Sequence, residues 1–142
     1  SMEEAAKEQP TLASEGLGFI GRIYDRHRDS LKLCLAGAEM LAYRKAHIQP
    51  IYAEMARWRN AVEPLLDPSD SLAKVLRYIT NQWKPLTRWL SDARLPPDNN
   101  ACEREFQRIA KGRLSWLFFG GPEGGPGGDH PGRRCHLPQN RR

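Results

Sequence analysis

No hydrophobic run in the sequence approaches the ~18 residues a membrane span needs, and the N-terminus is acidic where a secretory leader is basic and then apolar. A soluble, cytoplasmic protein without a membrane partner is the expectation. Cysteine is scarce: Cys34, Cys102 and Cys135 are odd in number, far apart and in no C-x-x-C arrangement, so neither a disulfide framework nor a zinc module is suggested. His130, Cys135 and His136 share a stretch with no rigid scaffold to present them to a metal. Strand-like sequence is scarcer still, with Leu114 to Phe119 the one convincing run. The 142 residues allow one modest core and not two.

What is present is helical periodicity. Leu12, Leu17, Ile20, Tyr24 and His27 mark an amphipathic helix over 12–28, preceded by polar residues and Pro10. From Ala38 to Leu66, the residues Ile48, Ile51, Tyr52, Met55, Trp58 or Arg59, Val62, Leu65 and Leu66 follow the i, i+3, i+4, i+7 rule, and Pro50 is expected to kink this helix or start its second half. After the turn Asp67-Pro68-Ser69-Asp70-Ser71, the spacing of Leu72, Val75, Leu76, Ile79, Trp83, Leu86 and Leu90 predicts a long helix kinked at Pro85. Pro96-Pro97 ends it. A shorter helix runs from about Ala101 to Lys111, with Asn99 or Asn100 as N-cap and Gly112 just past its end.

The expected architecture is therefore mainly α, a small bundle of four to five helices with proline kinks, one short extended segment near 114–119 and an irregular tail. Ser1-Met2 resembles the scar of a removed tag, so 1–11 reads as a flexible N-terminus, 12–119 as the helical domain and 120–142 as an irregular or disordered basic tail. Eight of the twelve glycines fall within 112–142, which is why no regular element is expected there.

Charge is unevenly distributed. Net charge is 0 over 1–66, +2 over 67–111 and +3 over 112–142, within a total of +5. Such an excess favours polyanions without demanding them. Gly16-x-Gly18-x-x-Gly21 matches the dinucleotide fingerprint in form, but no strand precedes it, so close helix packing at small residues is the better reading and no small-molecule cofactor is expected.

The stretch from Leu72 to Gly125 carries a resemblance. Tyr78, Trp83 and Leu90 to Leu95 are followed by Pro97-Asp98-Asn99-Asn100-Ala101-Cys102-Glu103-Arg104, then by Ile109-Ala110-Lys111-Gly112-Arg113, Trp116-Leu117-Phe118, Gly120 and Gly124-Gly125. This combination resembles the C-terminal part of DDE-type transposases of the insertion sequence 66 family. Gly21-Arg22-Ile23-Tyr24 and the helix containing Pro50 extend the resemblance to roughly 15–125. It departs from the family at Gln107, Leu114 and Ser115, and after Gly125 the composition looks like translation in a shifted frame.

The resemblance implies that Glu103 is the third carboxylate of a DDE set, a ligand in a site where clustered acids hold two Mg²⁺ ions. Arg104 and Arg113 would meet phosphates, and Arg77, Lys84, Arg88 and Arg108 complete the expected DNA-contacting set. The bland alternative for Glu103 is a capping box: with Asn100 as N-cap it occupies N3 and satisfies the N-cap amide. The family's two aspartates lie on strands upstream of this helical region, and Asp25, Asp29, Asp67 and Asp70 are poor substitutes because no β pattern surrounds them. The expected function is thus a truncated or degenerate transposase remnant, contacting DNA or a partner, with no catalysis and no bound cofactor on its own. The alternative is a helical module that self-associates through Trp116, Phe118 and Phe119 without a nucleic-acid role.

Overall fold

The computed structural model describes residues 2–112. The expected segment at 114–119, the tail, Arg113 and the aromatic residues Trp116, Phe118 and Phe119 lie outside the described residues. Within them the protein is mainly α, a small bundle of five helices of eleven or more residues and one single-turn helix, and no strand occurs among the described residues. They are α1 (Met2–Lys32), α2 (Gly37–His47), α3 (Gln49–Val62), α4 (Ser71–Asn81), α5 (Trp83–Thr87) and α6 (Asn100–Ala110), with 3-10 turns at Glu63–Leu65 and Arg88–Leu90.

The helix α1 starts well before residue 12, and the run up to residue 11 is helical. Pro10 lies inside it, costing one backbone hydrogen bond without ending the helix. Pro50 sits in the first turn of α3, where its missing N–H is not needed, and so starts that helix after a break at Ile48. The expected long helix over 72–90 is divided earlier than Pro85. Gln82, at φ −105 and ψ 22, separates α4 from α5, and Pro85 falls in the first turn of α5. A continuous helix would drive the proline ring into the carbonyl of Asn81, so the break comes one residue after that carbonyl. Gly112, at φ +79, takes the left-handed conformation that closes α6.

α1 packs along α6 and α3, and α6 also meets α4. One cluster joins Ala13 and Ile20 of α1 to Leu72, Val75, Leu76 and Ile79 of α4 and to Cys102, Phe106 and Ile109 of α6. Gly16 explains the closeness of α1 and α6: a Cβ there would stand 2.7 Å from the Phe106 ring. A Cβ at Gly18 or Gly21 meets nothing within 4 Å, so only the first glycine of the G-x-G-x-x-G string is required by packing. The string lies in mid-helix, where no free N–H groups face a phosphate. The second cluster gathers Ile23, Ile48, Ile51, Tyr52, Met55 and Trp89.

Candidate functional site

The D-N-N-x-x-E-R string forms the approach to α6 and its first turn. Asn99 is the N-cap residue, but its side chain makes no cap bond. It is 2% exposed and turned inward, where its Nδ2 donates to the Tyr52 hydroxyl at 3.0 Å. The Trp89 indole N–H donates to the same oxygen, also at 3.0 Å. With both lone pairs of that phenol engaged, its proton faces the Leu86 carbonyl at 3.5 Å and Asn99 Oδ1 at 3.4 Å. A second phenol holds the neighbouring residue. The Asn99 backbone N–H donates to the Tyr24 hydroxyl at 3.2 Å, and that hydroxyl donates to Asn100 Oδ1 at 3.1 Å.

Burial pushes both phenols up to about 12, against the opposing effect of the hydrogen bonds they accept. They therefore stay protonated and can donate throughout the neutral range. The Glu103 carboxylate contributes to the rise at Tyr24, which places its charge near that phenol.

With Asn99 as N-cap, Glu103 falls one residue beyond N3, and its amide makes the first helical bond, to the Asn99 carbonyl at 2.9 Å. The capping box does not form. The N-cap falls on Asn99, one residue earlier than that box needs, and Asn99 gives its side-chain amide to Tyr52, so no side chain caps the helix end. Glu103 is half-buried and makes no side-chain hydrogen bond or ion pair with a described residue. Arg104 beside it is exposed and likewise unpaired among the described residues.

The remaining candidate acids are engaged elsewhere. Asp25 pairs with Arg28, Asp29 with Arg26 at 2.7 Å, and Asp67 accepts from the backbone and hydroxyl of Ser69. Asp70 accepts from the Asp67 amide at 2.9 Å. Glu105, two residues past Glu103, is 7% exposed, and its carboxyl is pushed up by burial despite Arg108 at 3.9 Å. Among the described residues no three His, Cys, Asp or Glu side chains come together as a metal set. The described residues thus bring no second acid into a metal set with Glu103 and do not by themselves fit a two-metal centre.

The expected cations differ in state. Arg77 is exposed and reaches back to the Pro68 carbonyl at 3.3 Å. Lys84 and Arg88 are exposed on α5 and the turn after it, with no ion pair among the described residues. Arg108 is drawn toward Glu105. The arginines of α1 are spent on acids, Arg22 on Glu54 at 3.0 Å, Arg26 on Asp29 and Arg28 on Asp25.

Sequence reasoning missed three groups. Tyr24 and Tyr52 read as core positions, with no sign of hydroxyls reserved for the asparagines. Arg44 carries no motif or apolar signal in the sequence, yet it is 2% exposed. Its Nη1 donates to the carbonyls of Trp89 and, at 3.0 Å, of Asp92, and its guanidinium lies 4.7 Å from the Trp89 ring. His27 meets the same indole edge-on at 5.6 Å. Burial, then Arg44 and Arg28, push His27 down to about 4.

Among the described residues no helix is long and apolar enough to cross a membrane. A family model described as Transposase IS66 family matches residues 1–126. A protein of Sinorhizobium fredii (strain NBRC 101917 / NGR234), described as "Uncharacterized protein y4hP", is 30% identical over 90 residues, covering 63% of this chain and 16% of that protein. The chain therefore corresponds to a small part of that relative's length. No solved structure matches the chain. The match over most of the chain, carried on a helical bundle that displays Glu103 at the start of α6, makes this chain a member of the IS66 family of transposases.

Proposed function

We propose that this chain serves DNA transposition by presenting Glu103 as one acid of a DDE set and by contacting the DNA backbone, and that it does not cleave DNA alone. One observation carries the reading: Glu103 stands half-buried in the first turn of α6 with no hydrogen bond or ion pair among the described residues, beside the exposed Arg104. A carboxylate with a structural duty would be engaged, as Asp29 and Asp67 are. The other described acids assemble no metal set, so the remaining acids would have to come from elsewhere. Arg77, Lys84, Arg88 and Arg104 supply the phosphate contacts, Arg113 adds to them, and Arg108 contributes less because Glu105 draws it back.

The test is duplex binding followed by fluorescence anisotropy across a salt series. Binding is expected to weaken as salt rises. Lys84→Ala, Arg88→Ala and Arg104→Ala should each reduce the log–log slope by about one, with a smaller effect for Arg108→Ala. With Mg²⁺ present the chain alone should leave the duplex uncut. No binding at low salt would remove the DNA-contact part, and cleavage would remove the claim of dependence on other acids.

A further inference from the structure

We propose that Tyr24 and Tyr52 are positioning residues for Glu103, and that the paired asparagines Asn99 and Asn100 are read by these phenols and not by DNA or metal. The functional consequence rests on the proposed role of Glu103, whereas the latch itself rests on geometry alone. Asn99 is buried, and its side-chain amide is committed to the Tyr52 hydroxyl. Asn100 is exposed, yet its carbonyl oxygen accepts the Tyr24 proton, while the same Tyr24 oxygen accepts the Asn99 amide. Two phenols from α1 and α3 thus grip two successive residues at the point where the chain turns into α6.

The Asn99 carbonyl then accepts the Glu103 amide, so the latch connects to the Glu103 backbone in one step. Helix starts ordinarily fray because the first N–H groups have no intrahelical partner. Here an N-cap side chain bond has been given up, and an anchoring to two other helices stands in its place. The chemistry differs between the two positions. Asn100 is required only as an acceptor, which aspartate also provides. Asn99 must donate from Nδ2 into a buried site that already receives the Trp89 indole N–H, and aspartate has no such donor.

Amide hydrogen exchange on the full chain, read residue by residue, tests this directly. Tyr24→Phe and Asn100→Ala should speed exchange at the Asn99 and Glu103 amides by about three- to tenfold, with Leu76 and Ile79 of α4 within about twofold of the parent. Asn100→Asp should keep the parent pattern at both amides, whereas Asn99→Asp should lose it. A uniform acceleration across α4 and α6 would reduce the phenols to general packing and overturn the proposal. So would unchanged exchange at Asn99 and Glu103, or equal loss in the two aspartate variants. Exchange requires no DNA, so a chain that latches as described but fails to bind duplex would refute the proposed function and leave the latch intact.

Discussion

The two buried clusters meet along α1 and are built on different chemistry. The cluster under α6 is aliphatic and aromatic apart from the Cys102 thiol, and its closest approach depends on a missing side chain at Gly16 over Phe106. The cluster around Trp89 contains a buried guanidinium, an imidazole and a phenol grouped about one indole. The first holds a helix by shape, so it tolerates little added volume. The second holds a proline-interrupted segment by satisfying its carbonyls, so it is sensitive to charge and to pH. The start of α6 draws on both, since Asn99 bonds to Tyr24, which packs against the first, and to Tyr52 of the second.

The largest effect should come from the charged cluster. Arg44→Met removes donors to two carbonyls and the stacking on Trp89, and a loss on the order of 2–4 kcal/mol in urea unfolding is expected. The same variant should alter the response to acid. Because His27 titrates at about 4 when folded and near 6.5 when free, the unfolded chain takes up its proton first as pH falls. The stability linked to neutral His27 is therefore complete above about 6.5 and is lost as pH falls toward about 4, by roughly 2 kcal/mol after allowance for partial exposure. Without the Arg44 charge, His27 should move up toward its ordinary value and that loss should shrink. Unfolding midpoints at neutral and acidic pH for parent and variant check both parts.

The apolar cluster should respond to volume instead. Gly16→Ala forces the Phe106 ring to move and should cost about 1–3 kcal/mol with no change in pH dependence. Gly18→Ala, two residues along the same helix and facing open space, should stabilise by up to about 1 kcal/mol. A thermal melt of the pair separates them, and equal effects would mean that the helix contact is looser than the Phe106 geometry indicates.

Much of the bundle was legible because its signals are local. Apolar spacing located the helices, and Gly112 marked the end of α6. Pro50 announced a boundary through its fixed φ and missing donor. Pro85 announced one as well, but its clash acts four residues upstream, which is why the break falls at Gln82 and not at the proline. Pro10 misled in the opposite direction, because packing of α1 outweighs one lost hydrogen bond. The site was legible as residue types and not as roles. Glu103 could be found from its motif, but the uncapped start of its helix goes with Asn99 turning inward toward a tyrosine 47 positions away. Arg44 was hidden for the same reason: its partners are carbonyls, and carbonyls leave no trace in a sequence.

The proposed role of Glu103 requires that its carboxylate be displayed and not used to hold the fold. Equilibrium urea unfolding of Glu103→Gln and Glu103→Ala beside the parent chain decides this. Both variants should unfold within about 0.5 kcal/mol of the parent, since no described group depends on the carboxylate. A loss of about 1 kcal/mol or more in Glu103→Ala, restored in Glu103→Gln, would show a capping role and contradict the account.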